Sequence, residues 1–169
     1  MRGIAVTAAF VVLGLLPACT SDPASPEPPP VGNARDARSA DPCGLPTPEQ
    51  LAALGITAPA VAAAAPEGPR CEWRSTAGQG SELGITLFTT GGGLAVLATN
   101  SEPTTARVRL AGYPALETFT GAGEFCQYDV GVAADQVVMA SLQGGTPDSC
   151  TALQAVLPAM LADLPALPA

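Results

Sequence analysis

Cys43, Cys71, Cys126 and Cys150 are the residues whose type and number most directly invite chemistry. Four thiols either pair with one another or hold a metal. No two are spaced as CxxC, so a zinc site finds no support and no metal is expected. Catalysis would need other groups. The chain of 169 residues has seven Arg, no Lys and no His, which removes the usual general base, the usual metal ligand and every Schiff-base nucleophile. Carboxylates remain. Glu72, Glu82, Glu117, Glu124, Asp129 and Asp135 lie near strand candidates, but their spacing gives no sign that two converge, and they read as solvated positions or cross-strand partners of Arg. No Asp-x-Asp loop suggests calcium. Gly91-Gly92-Gly93 is followed by no Lys-Ser/Thr and reads as a flexible turn rather than a phosphate cradle. No catalytic residue and no cofactor are expected. A net charge of −8 without a basic stripe argues against nucleic acid as a partner.

The fifth cysteine lies in a different setting. Met1-Arg2-Gly3 precedes an apolar run from Ile4 to Leu16, the charged and hydrophobic regions of a secretory signal. The run is shorter than the roughly 20 apolar residues a membrane-spanning helix needs. Leu16-Pro17-Ala18-Cys19 follows at once and resembles the bacterial lipobox. That resemblance implies diacylglyceryl transfer to the Cys19 thiol and cleavage between Ala18 and Cys19. Lipidation of Cys19 leaves an even set of four cysteines for an oxidising exterior. An ordinary cleaved signal with a bystander cysteine and a short uncleaved anchor are the other readings.

The expected organisation is a signal peptide at 1–18, a tether at 19–40, one domain at 41–164 and a short tail at 165–169. Residues 20–42 are rich in Pro, Ser, Ala and Asp and hold no aromatic residue, so they bury too little to offset their ordering entropy. Thr47-Pro48-Glu49-Gln50 is a helix start with a capping box, and Gly55 ends that helix. Ala58–Pro66 reads as irregular. Strand candidates are Cys71–Arg74, Glu82–Thr89, Thr105–Leu110, Tyr113–Phe119, Phe125–Val132 and Gln136–Leu142, with a short helix at Leu94–Asn100. Trp73 reads as core against a disulfide and Tyr113 as a hairpin residue; a ligand groove is the other use of both. A closing helix, capped by Thr146 or Asp148, carries Leu153, Val156, Leu157, Met160, Leu161 and Leu164 at helical spacing, with Pro158 expected to kink or split it. The fold class is α+β: an antiparallel sheet of about five or six strands, with a short N-terminal helix and the C-terminal helix packed on it, stabilised by disulfides.

Four cysteines allow three connectivities. Cys43–Cys71 with Cys126–Cys150 is favoured, since each closes a loop of some 25 residues and pins a terminal helix to a strand start, for roughly 3 kcal/mol apiece. Cys71–Cys126 with Cys43–Cys150 is the rival.

Asp41-Pro42-Cys43-Gly44-Leu45 with Thr47 and Leu51–Gly55, then Cys71-Glu72-Trp73, Gly112-Tyr113-Pro114-Ala115 and Cys126, together with Leu16–Cys19, are similar to the small exported lipoproteins of high-GC actinobacteria that carry domain of unknown function 3558. The likeness covers most of residues 41–164. It implies a lipid anchor on the extracytoplasmic face of the cell membrane, an α+β fold and no established activity; the Gly91–Gly93 break has no evident place in the pattern. The expected role is a non-catalytic binding or accessory module of the cell envelope, with the membrane as one partner and an envelope protein or small apolar ligand as another. Two alternatives are a carrier with an apolar pocket between sheet and C-terminal helix, and a carboxylate-dependent hydrolase.

Overall fold

Alternating apolar and polar residues, broken by tight turns, commit the middle of the chain to antiparallel strands. The computed structural model describes residues 33–75, 80–101, 104–121, 124–144 and 148–168. Ala18, Cys19 and the capping candidate Thr146 lie outside them. The elements are α1 (Pro48–Ala53), β1 (Val61–Ala65), β2 (Gly68–Arg74), β3 (Glu82–Phe88), α2 (Gly93–Thr99), β4 (Thr105–Leu110), β5 (Tyr113–Thr120), β6 (Phe125–Ala133), β7 (Gln136–Gln143) and α3 (Ser149–Ala162), with a 3₁₀ turn at Pro42–Gly44. The strands form a single sheet in the order β1-β2-β3-β7-β6-β5-β4, and every pairing is antiparallel.

The sheet has seven strands rather than five or six. The additional one is β1, inside the Ala58–Pro66 stretch expected to be irregular. Its sequence, Val-Ala-Ala-Ala-Ala, has no alternation and only one β-branched residue, so it carries none of the signals that mark a strand. Hairpin pairing with β2, from Ala65↔Gly68 to Val61↔Glu72, makes it one.

Register assembles the core. Trp73, Leu83, Leu142 and Cys126 lie in one row across four strands, and Cys71, Ile85, Ala140 and Tyr128 in the next; all eight are buried. On this face α3 lays down Leu153, Leu157 and Leu161, spaced one turn apart and buried. Trp73 thus sits in the core beside the disulfide-bonded Cys71. Pro158 does not divide α3, which is continuous from Ser149 to Ala162. The carbonyl that Pro158 deprives of a helical donor belongs to Gln154, which is exposed to water, while the apolar stripe holds the turn against the sheet.

The opposite face is covered at one end by α2, where Leu94 packs with Leu116 and Val137, flanked by Phe88, Leu97 and Ala98. The glycines before it have a specific use. Gly91, Gly92 and Gly93 have φ of 94°, 93° and 70°, and a Cβ on Gly93 would stand 2.3 Å from the Ala134 carbonyl oxygen. The run bends the chain so that α2 starts against the β6–β7 turn. Beyond α2 this face is polar: Glu72 pairs with Arg70 at 2.8 Å and with Arg74 at 3.2 Å, and Arg74 reaches Glu82 at 3.4 Å.

Local signals at the helix starts are realised. Thr47 and Gln50 close a capping box on α1, and Asp148 caps α3. Tyr113-Pro114 opens β5; Ala111-Gly112 makes the turn, and pairing with β6 begins only at Ala115, so the missing Pro114 N–H is not needed there.

Residues 33–40, which composition assigns to the tether, lie on the domain. Ala37 is fully buried. Arg35 bonds through its N–H to the Val132 carbonyl at 2.9 Å and forms an isolated bridge with Ala166 in the expected tail. Gln136, completely buried, accepts the N–H groups of Ala37 at 2.6 Å and Arg38 at 3.2 Å through one oxygen, and Arg38 pairs with Asp135.

Candidate functional site

Two disulfides are present, Cys43–Cys71 and Cys126–Cys150. The first ties the 3₁₀ turn to β2. The second ties the first turn of α3 to β6 and has a further geometric effect. Cys126 and Tyr128 are two apart on one strand and share a face, while Cys150 and Gln154 are four apart on one helix and share a side. Bonding the two cysteines therefore brings Gln154 over Tyr128.

That juxtaposition builds a small polar centre at the border of the apolar layer. Tyr128 donates its hydroxyl hydrogen to Glu117 Oε2 at 2.7 Å, and Gln154 Nε2 donates to the same hydroxyl at 2.6 Å. Glu117 reaches it from β5, directly opposite Tyr128 in the register. Burial, reinforced by the bond to the Glu117 carboxylate, raises the Tyr128 pKa well above that of free tyrosine. The phenol keeps its proton and serves as a fixed donor that orients Glu117.

The centre opens onto a cleft of about 320 Å³ between the end of β5 and the start of α3, lined by Glu117, Phe119, Asp148, Cys150, Thr151 and Gln154. Phe119 is 49% exposed, a large apolar ring left in water at the cleft wall. Asp148 accepts from the Thr151 hydroxyl at 2.6 Å and the Thr151 N–H at 3.0 Å, which holds its carboxyl below the usual range. The cleft can accept hydrogen bonds from a bound group through Glu117 and offer the Phe119 ring to an apolar or cationic portion.

A hydrolytic pair would require a carboxyl of raised pKa beside a second one in a cleft. The carboxyl that is raised, to about 6, is Asp129; burial raises it, opposed by hydrogen bonds from Gln127. Asp129 and Glu117 are carried by facing strands but at alternate register positions, so they point to opposite faces of the sheet. Of the other acidic candidates, Glu72 and Glu82 pair with arginines on the polar face, and Asp135 pairs with Arg38. The four described cysteines are consumed in bridges, and no cluster of three potential metal ligands occurs among the described residues. Between α3 and the sheet, Leu153, Val156, Leu157, Met160, Leu161 and Leu164 fill the layer where a carrier would hold an apolar ligand. Tyr113, the other candidate groove residue, is buried, with its hydroxyl donating to the Asn33 carbonyl at 2.6 Å.

A family model described as protein of unknown function (DUF3558) matches residues 15–162. The chain belongs to the DUF3558 family. The matched span begins before Cys19, contains both disulfides and the Glu117–Tyr128–Gln154 centre, and ends with the last residue of α3. No curated protein and no solved structure matches the chain. Among the described residues no helix is long and apolar enough to cross a membrane.

Sequence reasoning does not single out Gln154 or the Glu117–Tyr128 pair as a site. The signal was nevertheless present in the spacings 126/128 and 150/154, readable once the cysteine pairing is fixed.

Proposed function

We propose that this DUF3558 chain is an actinobacterial lipoprotein, exported, cleaved after Ala18, lipidated on Cys19 and held at the extracytoplasmic face of the cell membrane, where it acts as a non-catalytic binding module. The signal pattern of residues 1–19 supports the route. The two bridges support the compartment, because disulfides persist outside the reducing cytosol. A lysine-free, alanine-rich composition suits a high-GC genome. The observation that carries the binding role is Glu117, a carboxylate fixed by the buried Tyr128 hydroxyl at an open cleft beside a half-exposed Phe119. The client, an envelope protein or a small ligand, sits in that cleft and is held by hydrogen bonds to Glu117 and contact with the ring.

The test is photocrosslinking in intact cells from the lipid-anchored chain, with a photoactivatable residue at position 119 or, as control, at the exposed position 95 on α2. A defined mass adduct from position 119 that position 95 does not give, and that Glu117→Gln removes, is the expected result. Identical labelling from both positions, or none from either, would contradict the proposal.

A further inference from the structure

The segment at residues 33–40 and the cleft occupy opposite ends of the domain. The segment docks where β5 starts and β6 ends. Tyr113 donates its hydroxyl to the Asn33 carbonyl at 2.6 Å, and the Arg35 N–H bonds to the Val132 carbonyl at 2.9 Å. It also meets the far end of α3, where Arg35 Nη1 donates to the Leu164 carbonyl at 3.3 Å. The cleft is built from the same three elements at their other ends: Phe119 near the end of β5, Cys126 at the start of β6 through its bridge to Cys150, and Thr151 in the first turn of α3.

Element lengths give the separation. Six residue steps lead from Tyr113 to Phe119 on β5 and from Cys126 to Val132 on β6, about 20 Å in each case. On α3 the run from Cys150 to Ala162 spans about 18 Å. Two strands and a helix agree, so the chain enters the domain about 20 Å from the cleft.

That point of entry is fixed by the fold. Ala37 is fully buried, and Gln136 accepts the N–H groups of Ala37 and Arg38. On the other side the Asp36 N–H bonds to the Pro165 carbonyl at 2.8 Å and the Leu167 N–H to the Ala34 carbonyl at 3.1 Å. Residues 33–40 are thus clamped between the β6–β7 turn and the C-terminal segment.

We infer that the anchored chain holds this clamped end toward the bilayer and presents the cleft on the far side, so that its client is a water-soluble or wall-attached molecule with a hydrogen-bond donor for Glu117, and not a lipid of the membrane that holds the anchor. The inference rests on the proposed lipidation of Cys19 and the proposed use of the cleft. Thirteen residues, 20–32, join Cys19 to Asn33 and reach at most about 45 Å. Bringing the cleft to the bilayer would require them to run back past the length of the domain. Charge works in the same direction. Glu117, Asp148 and Glu124, whose carbonyl accepts the Ser149 hydroxyl at 3.2 Å, stand at the cleft end, and none pairs with an arginine among the described residues. At the clamped end Arg35 and Arg38 offset Asp36 and Asp135. An anionic lipid surface therefore repels the cleft end more than the clamped end, over a range of about 8 Å at physiological salt.

Energy transfer in vesicles tests this. The lipid-anchored chain carries a donor dye, attached through a click-reactive unnatural residue that leaves the cysteines untouched, at position 120 of the cleft end or position 134 of the clamped end, both exposed. The vesicles are phosphatidylcholine with phosphatidylglycerol and a headgroup-labelled acceptor lipid. Stronger transfer from position 134 than from position 120 is expected. Equal transfer, or stronger transfer from position 120, in chain that floats with the vesicles would overturn the inference and leave the anchor standing; chain that fails to float would overturn both. The photoadduct at position 119 is a second readout. A water-soluble or wall-attached adduct is expected, whereas a phospholipid mass at position 119 would overturn outward presentation while leaving the cleft in use as a binding site.

Discussion

Tyr128 and Glu117 face each other across β6 and β5, and the phenol donates to the carboxylate at 2.7 Å from a position with no access to solvent. The bond thus serves both the fold and the cleft. Tyr128→Phe removes the donor that fixes Glu117 and the acceptor that satisfies Gln154. A loss of about 1–3 kcal/mol in urea unfolding is expected, the range for a buried hydrogen bond to a charged group. An unchanged midpoint would show that the centre contributes nothing to the fold.

Asp129 predicts a pH dependence of stability. Its folded pKa is raised from 3.8 to about 6, chiefly by burial, so the folded state binds this proton more tightly than the unfolded chain. Between these two values the folded state holds more protons, and stability contributed by this group falls as pH rises. Above pH 6 the penalty is fully present, at about 2–3 kcal/mol. Asp129→Asn should therefore raise stability at pH 7.5 and change it little at pH 4, as measured by denaturant titration at both. An equal effect at the two pH values would contradict the assignment.

The parts of this fold written most plainly in the sequence are those where one side of an element is buried. Leu83, Ile85 and Leu87 alternate into the core, as do Cys126, Tyr128, Val130 and Val132, and such patterning specifies both strand and face. Capping at Thr47 and Asp148 is equally local. β1 was illegible because four alanines pattern like nothing in particular, and the strand exists through its partner. Gln136 was illegible for a different reason: a strand-end glutamine normally faces water, and only tertiary contact with residues 37 and 38 explains its burial. The cleft lay between, requiring one long-range fact, the Cys126–Cys150 bridge, before Gln154 and Tyr128 could be seen as neighbours.

Gly93 and Gly91 offer a paired test of the glycine run. Both have positive φ, but a Cβ on Gly93 meets the Ala134–Asp135 backbone, whereas at Gly91 nothing lies within 4 Å. Gly91→Ala should lose about 1–2 kcal/mol from the left-handed conformation alone. Gly93→Ala should lose clearly more, because α2 must also move off the β6–β7 turn. Thermal unfolding of the two variants decides it, and equal losses would rule out the close approach.

Ala111 is the one non-glycine residue with positive φ among those described, at 52°, in the two-residue turn it forms with Gly112 between β4 and β5. Such turns favour Asn at this position. Ala111→Asn should stabilise the domain by about 0.5–1 kcal/mol, raising the thermal midpoint; a lowered midpoint would contradict the turn assignment.

The most direct test of the proposed anchored and bridged state is intact-mass spectrometry of the chain purified from membranes, after alkylation without reduction. The account predicts a polypeptide beginning at Cys19, heavier by a diacylglyceryl group and carrying no alkylated thiol. A chain beginning at Met1 without lipid and with alkylated cysteines would contradict it.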